Sequence, residues 1–413
     1  MHTPLARQRR SLLLMAALAP LAGAAAQANA RSAAGVAAGP RGFSVHVGGY
    51  APQAEGLYRF AANPATGHLS PAGLTRNPHS PSWLQADPSR PGLLYAVNEG
   101  DSSLHVYRQA APGEEASAPL QLLQSLPSGG RGPVHLSLHP GAPFAFVAHY
   151  GSAELAVLRR AADGQLSAVG LHASCDRSRP DDCRPGPTRA ALAPPGSFAI
   201  SGHDAPHVHM GLSSPDGRFV LASDLGRDRL AVWPFNTESG ALGPRQDLAL
   251  SAGAGPRHFV FHPRDAAQLY VINEEASTLA WLQMEPRTGR LTQRAELSSL
   301  PEGFAGTNFA SDLLASADGR FLYALNRLHD SMAVFALAAD GRPRLLAHEW
   351  TRGSFPRSAR FSPDGRFLYV CNQRSDHVAV FAVDTATGLP RFAGQYVPVP
   401  SPACAEVMGE AGR

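Results

Sequence analysis

Short apolar runs separated by polar turns recur along this chain in a regular order. The segments RFLYALNRLHDSMAVF (320–335) and RFLYVCNQRSDHVAVF (366–381) show it: one strand ends at Asn326 or Asn372, a polar turn follows, and a second strand begins. In both copies a Ser-x-Asp-Gly-Arg turn comes before the first of these strands. Pro, Asp and Gly supply the backbone angles that such turns need, and alternating apolar positions are typical of half-buried strands.

Seven copies of this unit can be aligned, each about 50 residues after the last, which is typical of four-stranded propeller blades. The interval between His149 and Asp224 is longer and contains an insertion at about 171–205. The sequence therefore predicts an all-β fold, a seven-bladed β-propeller with four-stranded antiparallel blades over residues 42–407. The C-terminal segment QYVPVPSPACAEV is expected to add a strand to the first blade, and 408–413 to form a tail. The aligned ends of the second strands are Gly48, Asn98, His149, Asp224, Asn273, Asn326 and Asn372.

The first 30 residues have the pattern of an export signal. Three arginines (Arg7, Arg9 and Arg10) precede an apolar, Ala-rich run and a small-x-small motif that ends at Ala30. The Arg9–Arg10 pair also resembles a twin-arginine signal. Since the apolar run of about fifteen residues is short for spanning a bilayer, we expect cleavage, no membrane anchor afterwards, and a periplasmic location. Residues 31–41 are expected to form a flexible N-terminal segment.

Charge and motifs exclude several function classes. Removing residues 1–30, with three arginines and no acid, leaves a formally neutral chain, so the net charge of +3 gives no reason to expect a nucleic-acid partner. All 36 basic residues are arginine, which excludes Schiff-base lysines and a P-loop. The sequence has no GxSxG, HExxH, CxxC or GxGxxG motif. We therefore expect neither a cofactor nor a catalytic metal.

Four cysteines are compatible with an exported chain. Cys175 and Cys183 lie close enough in a polar segment to staple one loop. Cys371, in an apolar strand, and Cys404, near the C-terminus, are interpreted as buried thiols rather than as a pair.

Polar groups are predicted to gather at one mouth of the central channel. In a propeller blade, the start of the inner strand and the turn after the second strand lie on the same face. Arg257 and His258, which begin the inner strand of blade five, should therefore meet Glu274, which follows its second strand. Three further histidines and three strand-end residues, from blade five and the other blades, are expected on this face: His135, His207, His209, Asp224, Asn273 and Asn326.

Several of these residues also have ordinary structural interpretations. Asn or Asp at a strand end commonly closes a turn, and Arg257 with Glu274 could form a salt bridge between strands. The histidines lack a regular metal-ligand spacing on one strand, so no metal site is predicted. Three other histidines are expected at the surface, and three turn aspartates are expected to be structural: His139, His149 and His262, and Asp216, Asp318 and Asp364.

Longer motifs resemble the lactonase family of seven-bladed propellers, which includes the propeller-type bacterial 6-phosphogluconolactonases. The resemblance covers nearly the whole chain after residue 30. It implies hydrolysis of a sugar lactone without a cofactor, although the family also contains a carboxymuconate cyclase. Among the motifs that carry it are PHVHMG (206–211), GPRHFVFHP (255–263), YVINE (270–274) and GTNFASD (306–312).

From the resemblance and the chemistry of lactone opening we assign candidate roles. Glu274 is the candidate general base, Arg257 the stabiliser of the carbonyl oxygen, and His258 or His209 the group that protonates the leaving alkoxide. The expected partner is a small-molecule lactone, and the oligomeric state is left open. A non-catalytic exported binding propeller and carboxymuconate cyclase-like lactone chemistry remain alternatives. The candidate substrate-binding residues are His135, His207, Asp224, Asn273, Asn308 and Asn326.

Overall fold

The computed structural model describes residues 42–110, 119–190 and 192–409, which form seven four-stranded antiparallel sheets. The predicted export signal and the N-terminal segment to residue 41 lie outside the described residues.

The strands of each blade are given from the inner strand outward. Blade one contains β28 (Pro402–Gly409), β1 (Phe43–Gly49), β2 (Gly56–Ala62) and β3 (Leu69–Arg76); blade two contains β4 (Pro81–Ala86), β5 (Leu93–Asn98), β6 (Ser103–Gln109) and β7 (Leu120–Pro127); blade three contains β8 (Pro133–Leu138), β9 (Phe144–His149), β10 (Glu154–Arg160) and β11 (Leu166–Ala173); and blade four contains β12 (Val208–Ser213), β13 (Phe219–Asp224), β14 (Arg229–Pro234) and β15 (Gln246–Ala249). Blade five contains β16 (Pro256–His262), β17 (Asp265–Asn273), β18 (Thr278–Met284) and β19 (Leu291–Ser298); blade six contains β20 (Ala310–Ala315), β21 (Phe321–Asn326), β22 (Ser331–Leu337) and β23 (Pro343–Trp350); and blade seven contains β24 (Pro356–Phe361), β25 (Phe367–Asn372), β26 (His377–Val383) and β27 (Pro390–Pro398).

The two ends of the described chain close the ring, because β28 pairs with β1 and becomes the inner strand of blade one. Each inner strand contacts the inner strands of the neighbouring blades, including β24 with β28 and β28 with β4. This confirms the predicted seven-bladed propeller. The described part of the chain has only two short 3-10 helices, Pro180–Cys183 and Gln373–Ser375, and no helix there is long and apolar enough to cross a membrane.

The apolar core lies between adjacent blades, where buried side chains from two neighbouring sheets form each cluster. Polar interlocks reinforce this packing. Tyr323 of β21, for example, donates its hydroxyl to the carbonyl of Gly388 in the next blade at 2.8 Å. Gly388 has a φ of 75°, and a Cβ there would lie 2.4 Å from the ring of Phe321, so only glycine suits this position. Equivalent bonds join Tyr95 to Gly164, Tyr270 to Gly341 and Tyr369 to Gly67.

Two of the histidines expected at the surface are buried, so that prediction was wrong for His139 and His149. Nε2 of His139 hydrogen-bonds the carbonyl of Gly217 in the next blade at 2.9 Å. Nε2 of His149 accepts from the N–H of Gly130 at 3.1 Å. An imidazole at the end of a strand can thus satisfy backbone groups that burial would otherwise leave without partners. The aspartates of the opposite-face turns do bind their own turns, as Asp318 does with Ser316 and Arg320.

The cysteines are placed as the sequence indicates. Cys175 and Cys183 form a disulfide within the insertion between β11 and β12. Cys371 and Cys404 are buried free thiols, which confirms their interpretation.

We expect Tyr323→Phe to lower the free energy of unfolding by about 1–2 kcal/mol, because the buried Gly388 carbonyl loses its donor while the apolar contacts of the ring remain. Thermal or denaturant unfolding of the two proteins measures the difference. Tyr58→Phe is the control, since the Tyr58 hydroxyl only accepts a bond from the N–H of Glu55 in a more exposed place. A change for Tyr323→Phe no larger than the control's would contradict the interlock.

Candidate active site

A one-residue bulge near the start of each inner strand shapes the central channel. In β16, for example, Pro256 pairs with Asn273 and His258 pairs with Ile272, so that Arg257 is the extra residue. A bulge changes the direction of the side chains around it, and here the two consecutive residues Arg257 and His258 both reach the channel region. The residues at the His258 position of the seven blades all line one cavity of about 180 Å³: Trp83, His135, Met210, His258, Asp312, Ser358 and Cys404.

Arg257 and Glu274 lie together at one mouth of the channel. Nε of Arg257 is 2.9 Å from Oε2 of Glu274, and Nη2 of Arg327 from blade six is 2.7 Å from the same oxygen. All three side chains are buried. Burial alone would raise the pKa of Glu274, but the guanidiniums of Arg327 and Arg257 hold it below its ordinary value. The carboxylate is therefore ionised, and its Oε2 is shared by two cations.

His258 forms a buried pair with Asp312. Its Nδ1 lies 2.8 Å from Oδ1 of Asp312, and Nη1 of Arg257 is 3.4 Å from its Nε2. Oδ2 of Asp312 accepts the N–H of Ala359 at 3.0 Å, which fixes the carboxylate. An ionised carboxylate beside Nδ1 favours the tautomer with its proton on that nitrogen, which leaves Nε2 as an acceptor. Burial and the charge of Arg257 lower the pKa of His258 to about 4 in spite of Asp312, so the imidazole is neutral at neutral pH.

Two more imidazoles surround His258. The ring centroids of His209 and His135 lie 5.2 Å and 5.8 Å from that of His258. Burial first, and neighbouring positive charge second, lower the pKa of both far below the ordinary value. Nδ1 of each is buried and has no hydrogen-bond partner among the residues that the structure describes. The channel floor under the mouth is thus a set of neutral imidazoles beside one guanidinium.

The opposite side of the mouth carries more positive charge. The guanidinium of Arg357 lies 5.0 Å from the centre of the Tyr50 ring and has no ion-pair partner in the described part of the chain. The Tyr50 hydroxyl donates to Oε2 of Glu99 at 2.8 Å. Three guanidiniums, those of Arg257, Arg327 and Arg357, are therefore gathered around the mouth, and two of them bind Glu274. The guanidinium of Arg357 favours an anionic ligand or reaction product.

Five of the six candidate substrate-binding residues do not line the channel. His207 lies on the rim, with its ring stacked on that of Tyr150 at 4.1 Å between centroids and its Nε2 2.9 Å from Oδ1 of Asp204. Asp224, Asn273, Asn308 and Asn326 are fully buried and bind within the fold. Asp224 accepts backbone N–H groups of His207 and Arg227, Asn273 donates to Thr278, and Asn308 and Asn326 bind each other. The remaining member, His135, does line the channel.

The site also contains residues that were absent from the candidate set. Repeat alignment carries a signal for most of them: Arg357 follows Pro356 as Arg257 follows Pro256, and Arg327 follows Asn326 as Glu274 follows Asn273. Asp312 holds the inner-strand position of His258. The repeat alignment does not tell which of these equivalent residues contact the same bound ligand.

Comparison with known proteins agrees with this architecture. The family described as "Lactonase, 7-bladed beta-propeller" matches residues 44–407. The 6-phosphogluconolactonase of Bacillus subtilis is 27% identical over 355 residues, which is 86% of this chain and 95% of that protein. The structure of the periplasmic gluconolactonase of Pseudomonas aeruginosa has a TM-score of 0.76 and 29% identity, and the match covers 89% of this chain and 99% of that one. With nearly the whole propeller matched, the chain belongs to the lactonase family of seven-bladed β-propellers.

Proposed function

We propose that this protein hydrolyses a sugar lactone at the channel mouth formed by Arg257, Glu274 and Arg327. The observation that carries the proposal is the placement of a buried, charged guanidinium directly beside the neutral imidazole of His258, which is bonded to Asp312. Lactone opening needs a group that takes a proton from water and a cation that stabilises the developing oxyanion, and this pair of features can supply both.

The first step assigns the nucleophile and the oxyanion. Nε2 of His258 takes a proton from a water molecule while the water oxygen attacks the lactone carbonyl carbon. The carbonyl oxygen becomes negative and lies against the guanidinium of Arg257. Burial and the charge of Arg327 lower the pKa of Arg257 to about 9, so the guanidinium still carries its charge at neutral pH. Nε and Nη1 of Arg257 contact Glu274, Ser311 and His258, so Nη2 is the nitrogen left to donate.

The second step opens the ring. The tetrahedral intermediate re-forms the carbonyl, the bond between the carbonyl carbon and the ring oxygen breaks, and the leaving alkoxide takes the proton held by His258. His209, the other donor that the sequence suggested, lies edge-on to His258 but has a pKa far below its ordinary value, so His258 is the donor assigned here. The products are a hydroxyl group and a carboxylic acid, which ionises at neutral pH. Its charge fits the cationic mouth.

Glu274 is assigned a positioning role here rather than the role of base. Its Oε2 contacts both guanidiniums, and its pKa is lowered. A carboxylate bonded in this way holds Arg257 and Arg327 in place, and the oxygen that contacts both guanidiniums is not free to take a proton from water.

We further propose that the chain is exported and acts on an unphosphorylated lactone such as gluconolactone. The disulfide in the insertion, the signal-like N-terminus and the name of the Pseudomonas aeruginosa relative support export. The names of the Bacillus subtilis relative and of a 26% identical Formosa agariphila relative support the phosphorylated lactone instead. Acid release from gluconolactone, 6-phosphogluconolactone and a carboxymuconate lactone, followed at mildly acidic pH, distinguishes these substrates.

We expect His258→Gln to lower kcat by roughly 10²–10⁴, as is typical for loss of a general base. Arg257→Ala should lower it by about 10²–10³ through loss of an oxyanion donor. Glu274→Gln keeps the shape of the side chain and should cost about 10² or less through misplacement of the two guanidiniums. Initial rates on the preferred lactone measure all three. Arg320→Ala, at an exposed arginine on the opposite face, is the matched control.

Two results would overturn these assignments. Wild-type rates in both His258→Gln and Arg257→Ala would remove the proposed site. A larger loss in Glu274→Gln than in His258→Gln would return the role of base to the carboxylate.

The pH dependence follows from the lowered pKa of His258. A base with a pKa of about 4 is unprotonated at pH 6, so kcat/KM should stay level down to about pH 5 and fall only as the pH approaches 4. The same shift lowers the stability of the fold in acid, because the unfolded chain binds a proton on this imidazole below about pH 6.5 and the folded chain does not. Circular dichroism at each pH therefore accompanies the rate measurements. If kcat/KM instead falls with a midpoint near pH 6.5 while the protein is still folded, a solvated histidine is the base.

A further inference from the structure

The insertion between β11 and β12, residues 174–207, crosses the mouth face instead of forming a short turn. Near its start, Asp182 accepts from Nη2 of Arg227 at 3.1 Å and forms an ion pair with Arg245, both from blade four. Further on, the carbonyl of Ser197 accepts the N–H of Asn308 from blade six at 3.1 Å. The segment then returns to blade four. It is therefore anchored on both sides of blade five, which carries Arg257 and Glu274.

The returning part, residues 198–205, is bound to the propeller by Glu275. This carboxylate accepts from the backbone N–H and the hydroxyl of Ser201 and from the N–H of Gly202, the last two at 2.8 Å. Glu275 is fully buried and directly follows Glu274 in the chain. Two successive carboxylates of one turn therefore have different partners. Glu274 binds guanidiniums of the site, and Glu275 binds the insertion.

His203 connects this segment to two buried carboxylates. Its side chain is fully buried between Glu275, with which it forms an ion pair through Nδ1, and Asp228, whose Oδ1 lies 3.2 Å from Nε2. Burial favours the neutral imidazole, but hydrogen bonds to Asp228 and Glu275 and the charges of both carboxylates raise the pKa of His203 to about 9. Asp228 also accepts the N–H groups of Gly253 and Gly255, which lead into β16. One charged imidazole therefore joins the segment to the strand that carries Arg257.

The segment touches the mouth through Tyr150. A Cβ on Gly202 would lie 2.0 Å from the Tyr150 hydroxyl, so the backbone packs against the hydroxyl end of this side chain. The Tyr150 hydroxyl donates to the carbonyl of Ser201 at 3.5 Å, and its ring lies edge-on to His209 at 5.8 Å between centroids. Residues 198–205 and Tyr150 together form one side of the mouth, from blade three to blade five. We call residues 198–205 the wall.

We propose that the wall, clasped by His203, limits the size of the lactones that reach Arg257 and His258 and makes the site selective for a single sugar ring. The inference rests on the proposed lactonase function. Below the mouth, the channel contains a cavity of about 180 Å³ lined by inner-strand residues, with His258 among them. A lactone that meets both Arg257 and His258 must lie on the mouth side of that cavity, next to Tyr150 and the wall. On the opposite side, the connections 351–355, 399–401 and 77–80 are short and form no comparable wall.

The test compares glucono-δ-lactone with a disaccharide lactone that carries a glucosyl group on O4. Wild-type protein should prefer the smaller lactone by about tenfold or more in kcat/KM, the range that pocket size alone achieves. His203→Gln, which keeps a polar side chain but removes the charge, and Gly202→Ala, which pushes the wall away from Tyr150, should each reduce this preference by about fivefold or more, through faster hydrolysis of the larger lactone. Trypsin cleavage after Arg189, inside the insertion and followed by Ala190, reports loosening of the segment without reference to activity.

The outcomes separate the two proposals. If wild-type protein hydrolyses neither lactone, the proposed function fails. If it hydrolyses both equally well, the wall sets no size limit. If the variants are cleaved faster by trypsin and keep the wild-type preference, the segment is loosened without effect on selectivity, and the inference is overturned. If His203→Gln is cleaved no faster than wild type, His203 is not the clasp. The Arg320→Ala control should match wild type in both measurements.

Discussion

The one-residue bulge near the start of each inner strand is the constraint on which the site depends. In a regular strand, successive side chains point to opposite faces, so Arg257 and His258 could not both reach one channel. The same register shift occurs in blade two between Pro81 and Trp83 and in blade seven between Pro356 and Ser358. Because this register shift occurs in every blade, each blade places one residue at the mouth and the next one along the side of the channel. The polar residues of the site sit in these two rings and in the turn that follows each second strand.

The charges at the mouth can be buried because they compensate one another. Moving an isolated ionised group out of water costs far more than a domain can tolerate, whereas a paired and hydrogen-bonded one is acceptable. Glu274 neutralises part of the charge of Arg257 and Arg327. Asp312 gives Nδ1 of the buried His258 a hydrogen-bond partner. Arg357 lies over an aromatic ring instead. The positive charge that remains uncompensated is the part of the field that a negatively charged intermediate or product would meet.

The sequence predicted the fold well because a propeller repeats one local rule seven times. The spacing of strand ends at Asn98, Asn273 and Asn372 identified the blades, and each of these asparagines binds the residue five positions later to close its turn. Irregular copies were harder to place. In blade one the residue equivalent to Asn98 is Gly49, which pairs with Pro402, and not the predicted Gly48. The closing strand also reaches Gly409, because its pairing with β1 continues to Phe43.

The site was only partly predictable, for a physical reason. Repeat position tells which residues reach the mouth, and that was enough to bring Arg257, His258, His209 and Glu274 together. It does not tell what each residue contacts there. Asn273 and Asn326 occupy the same strand-end position as the asparagines that close turns in other blades. Their amides bind Thr278 and Ser331 within their own turns, and they are therefore buried in the fold.

Two neighbouring residues, Glu274 and Glu275, have different structural roles, one set by the repeated blade and the other by the insertion. The ring of blades places Glu274, because its position after β17 is one that every blade possesses. Glu275 gains its partners from Ser201, Gly202 and His203, which belong to a segment that only one interval of the repeat contains. A regular scaffold therefore supplies the reactive groups, while an irregular segment, bound by a carboxylate one residue further along the same turn, shapes the approach to them. A change in the insertion can thus alter access to the site without altering the strands that position Arg257 and His258.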